Sequence, residues 1–343
     1  MKKMHVVIGS CVAITVAVLA WVLLSQNRVA VPPAGMPTPA QASRTAAPAR
    51  DPAAHVVAKV APEAPARPAR SAPPVVLPSD VSYGVRLIAG QTEQEDYTVR
   101  AAAIHSLPTN LKRVDVEGLY AFLRSRMDAH PDMDALSLNA LKNDTMQVLI
   151  AQDALPKDLL AVMLALYRNP TMDILCRDYC LQHVALYYER RWNPADDARL
   201  ADPDRAAALA VYEEALASKG SGFAGTALLG LSRLSEQYPE VDRARLGERS
   251  LAIALDEGTE PATRVTAVGM CGLLGKTEVL PRARILAQTG ENTPLRLASV
   301  GSLGLIGEAQ DLELVESLGA GSDEAVRKAA QVALKRLRAR LGQ

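Results

Sequence analysis

The chain has 343 residues, 49% of them hydrophobic but only 4% aromatic, so a large core must be built from Ala, Leu and Val, which favours close-packed helices over sheets. Formal charge is zero, yet the stretch up to Pro78 holds eight basic residues against two acidic ones, leaving 30 basic and 36 acidic residues beyond it. An acidic folded part argues against sequence-independent binding to nucleic-acid phosphates, which needs clustered Lys and Arg.

Residues 1–4 include Lys2 and Lys3, and His5 to Leu24 follow without a Lys, Arg, Asp or Glu. Twenty apolar residues cross a bilayer as a helix. The flanking lysines put the N-terminus in the cytoplasm and the rest of the chain outside. The expectation is an uncleaved, single-pass anchor at 5–24 in the inner membrane, with the C-terminal domain periplasmic. A cleaved secretory signal is the alternative, but its apolar region spans about 7–15 residues and ends in a small-x-small site. No Ala-x-Ala directly follows Leu24.

Residues 25–79 are crowded with Pro and Ala, as in Pro62-Glu63-Ala64-Pro65-Ala66-Arg67-Pro68-Ala69-Arg70. Proline fixes φ and removes a backbone donor, so this reads as a disordered spacer of polyproline II character. Fifty such residues reach on the order of 150 Å when fully extended at ~3.1 Å each. The spacer therefore lets a folded domain stand off the membrane, a layout similar to that of bacterial envelope proteins with Pro-rich stalks.

Residues 80–343 read as stacked helices. Arg100 is followed by Ala103, Ile104 and Leu107 at +3, +4 and +7, and Arg177 by Cys180, Leu181, Val184 and Tyr187 at +3, +4, +7 and +10. Met133 to Gln152 supplies a helix between them. Asp204 to Pro239 predicts a helical hairpin. Its Ala208, Tyr212 and Ala215 have the small-aromatic-small spacing of a tetratricopeptide helix, whereas Ala227, Leu228, Leu231 and Leu234 follow the phase of the other helices. Over Thr259 to Leu341 the phase becomes a repeat of about thirty-two residues: Arg264, Arg296 and Arg327 each precede a small residue at +3, namely Ala267, Ser299 and Ala330. Thr293 before Pro294, and Ser322-Asp323-Glu324, read as helix starts. Gly275, Gly290, Gly307 and Gly319 read as left-handed helix ends.

Thr293-Pro294-Leu295-Arg296-Leu297-Ala298, Gly304-Leu305-Ile306-Gly307 and Ala325-Val326-Arg327-Lys328-Ala329-Ala330 resemble HEAT repeats, most closely the short Ala- and Gly-rich variety found in phycobilisome lyases. The resemblance implies an all-α fold, an α-solenoid of stacked helical hairpins. It says little about activity, because proteins of this kind range from scaffolds to enzymes.

Candidate chemistry is sparse. Cys176, Cys180 and His183 fall on one side of a helix and are soft ligands suited to zinc or copper, although position 180 also matches the small core residue of the repeat. Four cysteines make no disulfide framework in a chain of this length, and a bridge from Cys271 to Cys176 or Cys180 would have to join distant repeats. Gly272-Leu273-Leu274-Gly275-Lys276-Thr277 looks like the end of a phosphate-binding loop, but Met270 stands where its first glycine belongs. Tyr187 is expected to point inward, while Tyr188 and Trp192 are candidate anchors for a partner. No catalytic residue and no cofactor is expected. The reading is a non-catalytic, membrane-anchored scaffold or adaptor that takes a protein or peptide partner in the cell envelope, with a metal-binding protein or enzyme on the same solenoid as the alternative.

Overall fold

Short loops bearing Asp, Glu or Asn divide the folded part into helices, because these side chains satisfy the free N–H groups of the turn that follows. The computed structural model describes residues 75–92, 96–191, 203–218, 220–290 and 292–343. The expected anchor at 5–24, most of the spacer and Trp192 lie outside these residues. Among the described residues there is no strand, and no helix is long and apolar enough to cross a membrane.

The helices are α1 (Tyr83–Ile88), α2 (Tyr97–His105), α3 (Arg113–Arg124), α4 (Ala135–Ile150), α5 (Leu159–Arg168), α6 (Ile174–Arg191) and α7 (Pro203–Leu216). They continue as α8 (Phe223–Leu234), α9 (Arg243–Leu255), α10 (Pro261–Leu273), α11 (Leu280–Thr289), α12 (Thr293–Ile306), α13 (Asp311–Gly319) and α14 (Glu324–Leu341). Each odd helix packs on the even helix after it, and α2, α4, α6, α8, α10, α12 and α14 pack on one another in sequence. The result is two layers of antiparallel hairpins with a continuous even-numbered layer, which is the arrangement of an α-solenoid. Asp204 to Pro239 joins it as the hairpin of α7 and α8.

The buried positions follow the expected phase. Cys180, Leu181 and Val184 on α6, Ala227 and Leu228 on α8, and Ala267, Val268 and Cys271 on α10 are buried. Burying one large aliphatic side chain contributes about 1.5–3 kcal/mol, so the stripe is what drives stacking. On α14 the pattern changes: Ala330, Ala333 and Leu337 are buried, but Gln331 at +4 is exposed. That side of α14 is polar and exposed, whereas the +4 residues of the earlier even helices are buried against their neighbours.

Small residues set the closeness of the layer. A Cβ on Gly272 of α10 would lie 2.9 Å from the Ser302 Cα of α12, and one on Gly304 of α12 would lie 2.7 Å from the Ala333 Cα of α14. Both pairs join position +8 of one repeat to position +6 of the next, counted from Arg264, Arg296 and Arg327. Ser302 Oγ uses the proximity to donate to the Val268 carbonyl at 2.8 Å.

Five expected helix ends are corrected. Asn292, one residue before Thr293, caps α12 by accepting from Leu295 N–H at 2.9 Å, because Pro294 already occupies the first turn. Asp323, and not Ser322, caps α14. Gly275 is left-handed at φ +72, but Gly290 and Gly307 have φ −53 and −58, and Gly319 lies inside α13. At 290 and 307 the chain leaves its helix in an extended conformation, and a Cβ would strike the Leu286 and Leu303 carbonyls, which is why glycine serves without a positive φ.

Candidate functional site

The repeated arginine is a clamp on its own hairpin. Arg100 Nε donates to the Ile88 carbonyl at 2.9 Å, Arg177 Nε to Tyr167 at 2.7 Å, Arg296 Nε to Ala287 at 3.4 Å and Arg327 Nη1 to Gly321 at 3.3 Å. In each case a cation on the even helix satisfies a carbonyl at or just beyond the end of the odd helix before it, where free C=O groups and the helix dipole attract positive charge. Arg264 is buried at the same position of α10. Arg296 also reaches Asp323, the cap of the next hairpin, at 3.0 Å, so the clamp couples neighbouring repeats.

Sequence reading missed the clamp of the second hairpin, because its cation is a lysine. Lys142 has Thr145, Met146 and Leu149 at +3, +4 and +7, and its Nζ donates to the Ser125 carbonyl just past α3. The signal was present in the phase. On α8 the position is held by Ala224.

Beside Lys142 lies a buried polar chain. Arg100 Nη2 stands 3.3 Å from His130 Nδ1, and His130 Nε2 stands 2.7 Å from Ser125 Oγ, which is itself 2.6 Å from the Phe122 carbonyl. A guanidinium only donates, so Nδ1 must accept and the ring proton sits on Nε2. Ser125 then accepts from His130 and donates to Phe122. This orientation is the reverse of a nucleophile-base pair, in which the serine would donate to the histidine. Burial, with Arg100 and Lys142 close by, lowers the His130 pKa to about 4, in keeping with a neutral ring. The group fastens α1, α2, the end of α3 and α4 to one another.

A cavity of about 530 Å³ opens next to this group, with Leu138, Asn139, Lys142 and Met172 at its floor and Met127, Met133 and Asp173 among its walls. Asp173 is engaged by Asn139 Nδ2 at 2.7 Å and by the Leu175 N–H at 2.9 Å, which makes it the cap of α6. Burial pushes the Lys142 ammonium pKa downward.

Cys176, Cys180 and His183 do share one side of α6, but that side is core. Cys180 Sγ lies 3.9 Å from Met146 Sδ of α4, and His183 Nδ1 donates to the Tyr179 carbonyl at 2.9 Å. Among the described residues no three His, Cys, Asp or Glu side chains come together in a group that would hold a metal ion. The described cysteines 176, 180 and 271 are buried thiols without a disulfide. Lys276 of the loop-like glycine segment is engaged by Glu248, and the segment closes α10.

Tyr187 points inward as expected, and so does Tyr188. Tyr188 is 2% exposed, with its ring edge-on to Tyr187 at 5.5 Å and to Tyr238 at 5.8 Å. Its role as a surface anchor is therefore corrected: the hairpin of α7 and α8 and the Tyr238 turn cover it.

The even layer presents a different candidate. Position +5 of the successive repeats is exposed or half-exposed on every even helix and reads His105, Gln147, Gln182, Leu229, Gly269, Gly301 and Val332. Its N-terminal half is knitted by polar contacts: His105 to Asp144 at 3.4 Å, Thr226 to Asp178 at 2.7 Å and Arg233 to Glu189 at 2.6 Å. From Leu229 onward it is apolar and small, flanked at +9 by half-exposed Leu273 and Leu305.

No curated protein and no solved structure matches the chain. The family described as HEAT repeats does match, over residues 248–335, from within α9 into α14, and this supports a HEAT-repeat family.

Proposed function

We propose that the chain is a non-catalytic adaptor that holds a protein or peptide partner on the even-numbered layer of its solenoid. HEAT repeats generally mediate protein interactions, and they are matched here over 248–335. The observation that carries the reading is the face running from Leu229 through Gly269 and Gly301 to Val332: four successive repeats present apolar or small residues at one position, with no polar side chain among the four. Such a row offers a broad, complementary surface of the kind on which a few anchors supply most of the affinity.

The finer parts of the proposal rest on the sequence. The charge-free stretch at 5–24 supports an inner-membrane anchor with the solenoid on the periplasmic side, and the Pro/Ala-rich residues after it support a spacer that sets its reach. The short Ala- and Gly-rich repeats support the variety shared with phycobilisome lyases. Partner capture from detergent-solubilised envelopes, comparing the full chain with residues 1–79 alone, tests the proposal. The expected result is a set of partners retained by the full chain and lost without the solenoid, and an identical set from both would sink it.

A further inference from the structure

The clamp on the second hairpin uses only part of Lys142. An ammonium has three N–H donors, and among the described residues Lys142 Nζ is bonded to the Ser125 carbonyl alone. The residue is 1% exposed, and it borders the cavity of about 530 Å³. Asn139 lies three residues earlier on α4, on the same face of the helix, and is 4% exposed. Its Nδ2 donates to Asp173, while its Oδ1 accepts from no group among the described residues. The floor of the cavity therefore carries two buried polar groups side by side: a cation with two unused donors and an amide oxygen with an unused acceptor.

These groups specify the ligand. Asp128 and Asp173 stand on the walls, and Arg126 is matched by Asp128 at 3.7 Å. A dianion such as phosphate would meet repulsion there, whereas a single carboxylate balances a single ammonium and accepts its charge-assisted hydrogen bond. The Asn139 oxygen asks for an N–H close to that carboxylate. The last residue of a peptide carries this pair, a backbone N–H and a carboxylate separated by one Cα. Met127, Met133 and Met172 line the remaining wall above buried Leu138, and unbranched thioethers adapt to apolar groups of different shape. The volume falls within the ~300–1,000 Å³ of ordinary ligand sites.

We propose that this cavity captures the free C-terminus of a peptide ending in an apolar residue, with the carboxylate on Lys142 Nζ, the last backbone N–H on Asn139 Oδ1 and the last side chain among Met127, Met133 and Met172. Lys142 keeps its bond to Ser125 and meets the ligand with a second donor. The site lies where loops of the second and third hairpins meet and shares no residue with the face along 229–332, so it goes beyond the adaptor reading.

The test is fluorescence anisotropy with the purified full chain and fluorescein-labelled glycine-serine hexapeptides that end in leucine, as the free acid and as the C-terminal amide. The free acid should bind, and the amide should bind about tenfold more weakly or worse. Lys142→Met should abolish binding. Ala135→Asp keeps the result readable if that variant fails to fold: position 135 is exposed, lines the cavity and begins α4, where an acid suits the helix. It should weaken the free acid about fivefold by repulsion with no loss of melting temperature, while Ile285→Asp, in the odd layer, should change nothing. Hexanoate, a carboxylate without the amide N–H, and inorganic phosphate should compete poorly. Equal binding of acid and amide, or indifference to Ala135→Asp, overturns carboxylate capture. Hexanoate competing as well as unlabelled peptide overturns the peptide assignment in favour of free acids, and phosphate doing so reduces the site to a simple anion hole. No binding up to about 1 mM peptide overturns the site altogether and leaves the adaptor reading standing.

Discussion

Arg100 Nη2 lies 3.3 Å from His130 Nδ1, a contact that holds the buried imidazole in its neutral, Nε2-protonated form. His183 is buried as well, and burial lowers its pKa, like that of His130, to about 4. Both folded values lie below the unfolded value of about 6.5. The unfolded chain therefore takes up protons first as pH falls, so the stability these rings contribute is fully present above about pH 6.5 and is lost progressively down to about pH 4. Urea denaturation from pH 7.5 to 4 should show a falling midpoint in that window, by about 1–3 kcal/mol per histidine. His130→Gln should be less stable at pH 7.5 but should show a shallower decline. A midpoint level across the window would contradict the assignment.

The Lys142 clamp predicts a loss that is local in origin and global in effect. Lys142→Met keeps most of the apolar stem but leaves the Ser125 carbonyl without the donor that now serves it. Orphaning a buried acceptor costs about 1–3 kcal/mol. Thermal unfolding should register that loss, while substitution of exposed Lys335, which pairs with no carboxylate among the described residues, should leave the midpoint within about 0.5 kcal/mol. Equal effects at the two lysines would remove the clamp from the argument.

Much of the architecture was legible because the repeat has a period and the period has physical causes. The +3, +4 and +7 residues must be apolar to be covered by the next hairpin, and the arginine at the start of the phase must be cationic to meet a helix C-terminus. Lys142 was overlooked because a search for arginine asks for one residue, whereas the carbonyl asks only for a cation. Tyr188 was misplaced because helical phase assigns a direction along one helix but cannot show that Tyr238, fifty residues later, closes over it. The open space above Gly269 was invisible for a related reason: a glycine required by packing and a glycine left open look identical in a sequence, and only the neighbouring helix separates Gly272 from Gly269.

Thiol chemistry offers an independent check on the core. Burial raises the Cys271 pKa to about 12, and the hydrogen bond with Cys176, together with burial, holds the Cys180 thiol well above its usual range. A protonated, inaccessible thiol is a poor nucleophile. Labelling of the folded domain by a thiol-reactive disulfide should therefore proceed at the rate of opening, with Cys180 and Cys271 becoming reactive together in urea at the unfolding midpoint. Rapid native labelling of either would show that α6 or α10 is less covered than its packing implies.

The glycines provide the sharpest contrast, because one substitution type is expected to act in opposite directions on neighbouring even helices, at buried Gly230 and Gly304 and at half-exposed Gly269. At Gly304 a new Cβ would stand 2.7 Å from the Ala333 Cα, and backbone cannot swing aside as a side-chain end can. Gly304→Ala must push α14 outward, separating Leu303 and Val300 from Ala330 and Ala333 in the C-terminal core, at a cost of about 1–3 kcal/mol. Gly230→Ala meets the Tyr212 ring at 2.6 Å, and that ring is fixed by its hydroxyl bond to the Leu181 carbonyl at 3.0 Å, so a loss of similar size follows. Gly269→Ala meets nothing and removes backbone freedom from the unfolded chain, so it should stabilise by about 0.5–1 kcal/mol. Denaturation midpoints of the three single variants decide the matter: two must fall and one must rise. A fall at position 269 would mean that the space above α10 is already filled by part of this chain.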